Sequence, residues 1–394
     1  MKLKKYFEKF LYLYCQIIIF FCCAHPYLTV SDSYVAPMLL FGILSLVLYV
    51  ILFRNIKSLN NKSILLLLFG IVLSLIYNDL SDLSIYFRLF LAIIYSYLVV
   101  NLLNFKVVAK HFIHVMTLIC IISLVGYILV NRLGVINLPT MININDVSYG
   151  NGIIYFYIKH IKIRNCGIFW EPGLFASFIL FNLLLNYICF DNKYKFNIII
   201  CLITMLTVNS SAGYLLSVFY LCLLLYSKVR NKNDAIALIL KFLFIPIVFV
   251  VLTVFYYSIS VGSLSNNEFF KKLQYDNFMS SYRMQAIEFN LKLFLENIFL
   301  GTGIIEYYNL APKLMCPDTS TSTMLLSIFG VFGAIYTIII LINTFRLYKI
   351  SVIEKIIILF IILMIVNKEP HYNMTFSWLF ILGLCTIRGD KQCS

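Results

Sequence analysis

The chain has 394 residues, of which 62% are hydrophobic and 12% are charged, and its formal net charge at pH 7 is +14. So few charged residues cannot cover a water-soluble surface, and this composition excludes a soluble globular protein. Apolar runs recur along the chain and are long enough to cross a hydrocarbon core of about 30 Å. We therefore predict an all-α polytopic membrane protein in which 1–394 form a single integral domain.

Twelve apolar stretches predict about twelve transmembrane helices. Their expected bounds are 9–24, 35–53, 63–77, 84–104, 111–130, 167–189, 196–208, 212–226, 235–257, 322–344, 352–367 and 373–387. The charged opening MKLKKYFEKF and the apolar run after it resemble a signal peptide. Because further apolar stretches follow, we interpret this segment as an uncleaved first helix.

The short connections between these stretches alternate in basic content, which predicts an orientation. The connections at 25–34, 78–82 and 209–211 contain no Lys or Arg, whereas the segments between them are rich in both. Short cytoplasmic loops retain Lys and Arg, so both termini are predicted to be cytoplasmic. The net positive charge then reflects topology and contact with membrane lipid, and not nucleic-acid binding.

Two predicted extracytoplasmic loops, 131–166 and 258–321, are too long to be simple connections, and such loops tend to be functional. In the first, Asn/Gly turn signals and alternating Ile, Tyr and Lys residues predict a short β-hairpin around 150–152. In the second, Glu288, Lys292 and Glu296 recur every four residues beside an apolar stripe. This pattern predicts an amphipathic helix at 281–299 that lies on the outer membrane surface.

Both long loops contain basic residues, although extracytoplasmic loops are usually poor in them. They are Arg132, Lys159, Lys162, Arg164, Lys271, Lys272, Arg283, Lys292 and Lys313. A solvated loop surface and contact with lipid head groups are two explanations. The third is a lipid-linked phosphate or pyrophosphate, which Arg can hold in a bidentate fork.

A recognisable pattern follows the first long loop. Residues 164–176 read RNCGIFWEPGLFA, and an Arg followed by Gly-x-Phe-x-Glu-Pro-Gly at a helix entry resembles the Wzy-type polysaccharide polymerases and the related O-antigen ligases. Three more segments agree in order: NSSAG at 209–213, Arg283 ahead of NIFLGTG at 297–303, and the apolar helix that starts at Ser322. Asn297 and Ile298 replace the residues more usual in that family. The resemblance covers about 160–345.

The resemblance implies a GT-C-like, metal-independent glycosyltransferase without a cofactor, acting on the outer side of the bacterial cytoplasmic (inner) membrane. Such enzymes transfer a growing glycan from undecaprenyl pyrophosphate to the terminal sugar of an incoming lipid-linked repeat unit, and so build O-antigen or capsular polysaccharide. The implied partners are the undecaprenyl-pyrophosphate-linked donor and acceptor, membrane lipid and a chain-length regulator protein.

Glycosyl transfer with a pyrophosphate leaving group needs fixed positive charge, because negative charge develops on the phosphate. Arg164 and Arg283, one in each long loop, are the predicted clamp; a lipid-phosphate anchor or a salt bridge is the alternative for each. His160 and Lys162 are candidates that would add positive field. Arg88, within the fourth predicted span, either snorkels toward Asp79 or Asp82 or forms a third phosphate contact. Ser210 belongs to a small-hydroxyl cluster that is common in the family.

The acceptor hydroxyl must lose a proton, so a nearby carboxylate or imidazole is expected. Glu171, at a helix start, and His371, preceded by Glu369 in the last outer loop, are the candidates. Related ligases have a functional histidine near the last outer loops, which favours His371 by position. The alternatives are that Glu171 caps its helix or pairs with Arg164, and that His371 is an interfacial residue.

Twelve spans with both ends inside are also typical of secondary transporters, including flippases for lipid-linked oligosaccharides. The sequence contains no internal repeat, and its charged residues other than Arg88 fall in loops or near the ends of the predicted spans, which favours an enzyme. A ligase would differ from a polymerase in its acceptor, lipid A core. No nucleotide-binding loop, zinc signature or Asp-x-Asp pair is suitably placed, which fits a lipid-linked donor and predicts no metal site.

Overall fold

The computed structural model describes residues 2–28, 32–53, 62–78, 83–143, 146–152, 154–159, 163–230, 282–311 and 320–388. Helices dominate these residues. In chain order they are α1 (Lys2–Ile17), α2 (Asp32–Phe53), α3 (Lys62–Asn78), α4 (Ser84–Leu102), α5 (Phe105–Gly126), α6 (Pro172–Phe190), α7 (Lys195–Val208), α8 (Ser211–Val229), α9 (Tyr282–Glu296), α10 (Ile304–Leu310), α11 (Thr321–Phe329), α12 (Ala334–Phe345), α13 (Val352–Val366) and α14 (Thr375–Gly383). Wider π-helical turns extend α1 through Ile18–Cys22 and α5 through Tyr127–Arg132.

The helices have the composition of membrane spans. Four are both long and apolar enough to cross a bilayer, Tyr34–Phe53, Phe105–Arg132, Pro172–Phe190 and Ser211–Val229. Three shorter apolar helices coincide with the predicted spans 63–77, 84–104 and 196–208. These features support a helical membrane protein. The predicted span 235–257 lies outside the described residues, and the count of twelve stays a prediction.

Helix α6 is the centre of the bundle. The most apolar 18-residue window of α6 has 89% of its residues buried, against 33% for that of α2. Large apolar side chains such as Leu44 and Ile51 are exposed on α2. An exposed apolar face on a peripheral helix is what lipid contact requires. Both ends of α6 are therefore surrounded by protein, and the residues at its start lie within a packed environment.

The predicted span at 322–344 is not one continuous helix. Helices α11 and α12 meet at 106°, joined by the 3-10 turn Gly330–Phe332. Helix α11 ends because another segment binds its terminal carbonyls: Thr302 N–H donates to Ser327 O at 2.9 Å, and Gly303 N–H to Ile328 O at 3.1 Å. Helix C-termini need such partners for their last carbonyl groups. The apolar run continues through the break, so hydrophobicity alone predicts one helix.

Gly301 is needed for this helix end. Its φ is +71°, in the left-handed region, and a Cβ there would overlap the Ile328 carbonyl. The LGTG segment that resembles the polymerase family therefore has a structural role in this protein, since it packs on the end of α11 and satisfies its backbone.

The first long loop contains a small antiparallel sheet. Its strands are β1 (Thr140–Ile142), β2 (Ser148–Asn151) and β3 (Phe156–Ile158), in the order β1-β2-β3. The predicted hairpin is confirmed: Asn151 pairs with Phe156, and β1 adds a strand that was not predicted. Tyr149 OH donates to Trp170 O at 2.8 Å. The sheet therefore packs over the segment that leads into α6.

Helix α9 confirms the predicted amphipathic helix. Glu288, Lys292 and Glu296 are exposed. Ala286, Asn290 and Leu293 are buried on the opposite face. That face contacts protein, because Asn290 Nδ2 donates to Thr323 Oγ1 of α11 at 3.1 Å and Asn290 Oδ1 accepts from Tyr307 OH at 2.8 Å. The buried stripe thus packs on α11 and α10, whereas the sequence pattern predicted contact with the membrane surface.

Opposite ends of α6 are fixed by different polar contacts. Near its C-terminus, Tyr187 OH donates to Glu354 Oε1 at 2.7 Å, and Arg230 forms an ion pair with the same carboxylate. Glu171 precedes its first turn. A helix of 19 residues is about 28 Å long, so these two regions are separated by about the thickness of a hydrocarbon core.

Candidate functional site

The connection between α13 and α14 contains Asn-Lys-Glu-Pro-His at 367–371, and the start of α11 holds it in place. Asn367 Oδ1 accepts a hydrogen bond from Ser322 N–H at 2.9 Å. Thr321 Oγ1 accepts from His371 N–H at 2.8 Å and donates to Glu369 O at 3.2 Å. These bonds satisfy the polar backbone of a buried loop, as burial requires. They also place Lys368 and Glu369 beside the start of α6.

Lys368 joins three segments that are far apart in the sequence. Its Nζ donates to Gly173 O at 3.2 Å and to Ser210 Oγ at 2.9 Å, and lies 3.7 Å from Glu369 Oε1. The side chain is 7% exposed. Burial lowers the pKa of Lys368, while the charge of Glu369 acts to raise it. Sequence reasoning missed Lys368; a Lys next to an acid in a short loop between two apolar helices was the available signal.

Glu171 and Glu369 form a carboxyl pair at the start of α6. Glu171 has an extended backbone at the N-cap, yet its side chain makes no capping hydrogen bond, so a capping role for it is wrong. The pKa of Glu171 is raised well above its usual range, first by burial and then by the adjacent Glu369 carboxylate. Burial also acts to raise the pKa of Glu369, but the hydrogen bond with Glu171 and the charge of Lys368 outweigh it and lower that pKa. Glu171 therefore carries the proton and Glu369 is ionised.

The pair approaches α6 closely because residue 173 is glycine. A Cβ at Gly173 would overlap Glu369 Oε1 and would lie 3.0 Å from Glu171 Oε1. The neighbouring proline occupies the first turn of α6, where its missing N–H costs no hydrogen bond. The Glu-Pro-Gly sequence thus starts the helix and leaves space for two carboxyl groups.

Arg283 connects this pair with the exterior. Its Nη2 lies 3.5 Å from Glu369 Oε1, and its side chain is 49% exposed against 4% for that of Glu369. Arg283 lies in the first turn of α9, so this helix brings the guanidinium to the site. A half-exposed guanidinium has N–H donors that an incoming anion can engage.

Arg164 lies at the edge of the same region. Its Nε donates to Val208 O at 3.3 Å, next to the NSSAG segment. The side chain is partly exposed, and its charge is close enough to act on Lys368. The described residues show the contact with Val208 and no ion pair between Arg164 and Glu171, so that predicted pairing is wrong.

His371 is fully buried among other protein residues, and an interfacial position for it stays a prediction. Its Nδ1 lies 2.7 Å from Ser377 Oγ, and its ring packs edge-on against Phe181 with 5.7 Å between centroids. Burial lowers its pKa to about 4, so the imidazole is neutral at pH 7. Its Nε2 has no hydrogen-bond partner among the described residues. In this position His371 orients the loop that carries Glu369 and does not reach the exterior.

The remaining predicted residues are Arg88, His160 and Lys162. Arg88 is buried on α4, near Cys22 and Cys23. None of the contacts described for Lys368 and Glu369 involves it. His160 and Lys162 lie outside the described residues, as do Asp79 and Asp82.

We refer to Glu171, Ser210, Arg283, Lys368 and Glu369 as the Glu369 cluster. It contains two basic side chains, one carboxylate and one protonated acid, so its net charge is positive. Arg164 adds a further positive charge nearby. A partly buried group of this sign attracts anions more strongly than exposed charges do, because the low dielectric strengthens its field.

No protein-family model matches the chain, and comparisons with curated proteins and with solved structures find no match. Its function is therefore inferred from the motifs and from the geometry of the Glu369 cluster.

Proposed function

We propose that this protein is a Wzy-type polysaccharide polymerase of GT-C type in the bacterial inner membrane. The observation that carries the proposal is the convergence of the motif residues. Glu171, Ser210 and Arg283 come from three of the four segments that resemble the polymerase family, and all of them meet Lys368 or Glu369. Folding alone does not require these ionisable groups to lie together at one helix entry.

The charge of the Glu369 cluster suits the donor. A sugar linked to undecaprenyl pyrophosphate presents a polyanion at the membrane surface, and Arg283 with Arg164 would bind its phosphate oxygens. Lys368 would contribute field from within the protein, because its Nζ is held by Gly173 and Ser210. These cations would bind the leaving group more tightly as its negative charge develops, which lowers the barrier.

The carboxyl pair suits the acceptor. Glu171 is the more exposed of the two acids, and its proton is shared with Glu369. If Glu171 passes that proton to Glu369, its own carboxylate becomes a base for the acceptor hydroxyl. The pair carries one negative charge in total and can therefore take up one further proton.

In the proposed step, one bond forms at the anomeric carbon of the donor and one bond breaks there. The acceptor oxygen forms a bond to the anomeric carbon of the donor while its proton passes to Glu171. The bond from the anomeric carbon to the pyrophosphate oxygen breaks, and the electron pair leaves with undecaprenyl pyrophosphate. The half-exposed Arg283 is best placed to meet that leaving group, since the other members of the cluster lie deeper.

A second candidate function is transport of a lipid-linked oligosaccharide. The bent pair α11 and α12 favours it, because broken helices beside a polar site are typical of transporters. The break in this protein is filled by the backbone of Thr302 and Gly303, which leaves fewer polar groups free to bind substrate. We therefore prefer the enzyme.

Deletion of the gene in its native host, followed by complementation, tests the proposal by the length of surface glycan on a gel. A polymerase predicts that the ladder disappears while a single repeat unit stays attached. Loss of all surface glycan with lipid-linked polymer accumulating would identify a ligase. Loss of all surface glycan with unpolymerised lipid-linked units accumulating would identify the transporter, and an unchanged ladder would contradict all three.

A further inference from the structure

A second charged site lies at the other end of the helices from the Glu369 cluster. A cavity of about 700 Å³ opens there. Its lining comes from the start of α1, the end of α2, the α4–α5 connection and the turn after α14, and includes Lys4, Glu8, Tyr12, Tyr49, Leu103 and Lys106. The start of α5 is on the same side as the C-terminal end of α6, because His114 packs on Tyr194 with 5.2 Å between centroids and Asn186 Nδ2 donates to Tyr194 O at 3.0 Å. A cavity of this volume can accommodate a small organic group.

The lining has a net positive charge. Lys4 and Lys106 contribute two positive groups, and Glu8 contributes one negative group. Tyr49 OH donates to Glu8 Oε1 at 2.6 Å, and this bond holds the carboxylate against α2. The balance of charge favours an anionic ligand.

The cavity wall also has apolar parts, and its polar backbone is fixed. Leu103 and Phe105 line it beside Lys106. Asn104 Oδ1 accepts from Lys106 N–H at 3.0 Å, while Asn104 N–H donates to Tyr12 OH at 3.1 Å. These bonds hold the segment that carries Lys106. A wall that is basic on one part and apolar on another suits a phosphate joined to an acyl glycerol, whereas a free phosphate would use only the basic part.

We infer that this cavity binds the phosphate head group of an anionic phospholipid, with Lys4 and Lys106 as its counter-charges. The predicted topology places these lysines at the cytoplasmic surface, where anionic lipids attract Lys and Arg. The site is separate from the Glu369 cluster, and the inference does not depend on glycosyl transfer.

Binding of phosphatidylglycerol to the purified full-length protein, measured against phosphatidylcholine by native mass spectrometry and by titration, tests this inference. The double variant Lys4→Gln/Lys106→Gln is expected to bind phosphatidylglycerol about twenty-five-fold more weakly, since each lysine near a membrane surface contributes roughly fivefold. The matched control Lys2→Gln/Lys110→Gln removes the same charge from the same two helices outside the lining and should change affinity less than about twofold.

Glu8→Gln gives a prediction of opposite sign, because removal of the carboxylate makes the lining more positive and should strengthen phosphatidylglycerol binding. Equal losses in the cavity and control pairs would show a diffuse charge effect and overturn the site. Unchanged binding in the cavity pair would overturn it as well. Inorganic phosphate that binds as tightly as the lipid, and with the same dependence on Lys4 and Lys106, would show a soluble anion site instead.

Discussion

Lys368 Nζ lies 2.9 Å from Ser210 Oγ, so the loop before the last helix is tied directly to the start of α8. The same ammonium group bonds to Gly173 O at the start of α6. Three helix ends that no local pattern connects are thus joined through one buried side chain. This arrangement makes Lys368 the residue on which the geometry of the cluster depends most.

Replacement of Lys368 should therefore damage both stability and function. Lys368→Met leaves Glu369 without its buried counter-charge and Ser210 and Gly173 without a donor, and should cost about 3 kcal/mol of unfolding free energy. Thermal unfolding of the purified protein would measure the loss of stability. Glycan ladders from cells would measure the loss of function. Lys292→Met, on the exposed face of α9, is the control and should behave like wild type.

The two acids should respond differently to amidation. Glu171 is protonated, so Glu171→Gln keeps the neutral form and should fold with nearly wild-type stability. The variant should still lose polymer, because Gln cannot act as the base for the acceptor hydroxyl. Glu369→Gln removes the ionised member that Lys368 and Arg283 stabilise, and should lower the unfolding temperature. Equal destabilisation by both substitutions would contradict this assignment of the proton.

The raised pKa of Glu171 also has a consequence at high pH. A raised folded-state pKa contributes stability that is present at low pH and is lost as pH rises through that pKa. Wild type should lose this contribution on alkalinisation, and Glu171→Gln should not. Unfolding temperatures of both proteins, measured as the pH rises from the usual glutamate pKa of 4.5, would show the difference, because Gln cannot titrate.

Acidification should destabilise the protein through His371. The folded-state pKa is about 4, below the usual value of 6.5, so the unfolded chain binds the proton more readily. Stability is then lost as pH falls from 6.5 toward 4. In His371→Gln this loss should be smaller, although its stability at pH 7 will be reduced by the altered contact with Ser377. Parallel pH profiles for the two proteins would argue against a buried neutral imidazole.

Alanine substitutions at two glycines should have different effects, one on function and the other on stability. Gly173→Ala puts a methyl group where Glu369 Oε1 lies, so the carboxylate must move while α6 stays intact. We expect loss of polymer with normal protein levels. Gly301→Ala combines a φ of +71° with overlap on the Ile328 carbonyl, and should lower stability by about 2 kcal/mol or more. Immunoblots of membrane fractions beside glycan gels distinguish the two results.

The sequence predicted the helical membrane class, the hairpin near 150–152 and the amphipathic helix α9, because each follows from a local repeat of apolar residues or turn signals. It did not predict the bend between α11 and α12. The apolar run continues across Gly330, and the partner that ends α11 comes from 302–303. The hydrophobic pattern of a sequence does not indicate such a contact.

The site was predicted in part for a similar reason. Glu171, Ser210, Arg283 and Glu369 were candidates because of their motifs or their positions in loops, but their proximity is a property of the folded chain. Lys368 was missed because nothing in its own segment shows that Gly173 and Ser210 will surround its ammonium group. His371 was a candidate base in the last outer loop, and its burial results from packing against Phe181 and the start of α11.

The central claim is that Arg283 and Arg164 stabilise a departing lipid pyrophosphate. The most direct measurement is release of undecaprenyl pyrophosphate from a lipid-linked repeat unit by the purified protein in nanodiscs, with product length recorded in the same reaction. Wild type should release one carrier lipid for each unit added. Arg283→Ala and Arg164→Ala should each slow this release at least a hundredfold. Lys at either position should restore it only weakly, because the bidentate fork is lost. Wild-type rates of release in both alanine variants would contradict the account.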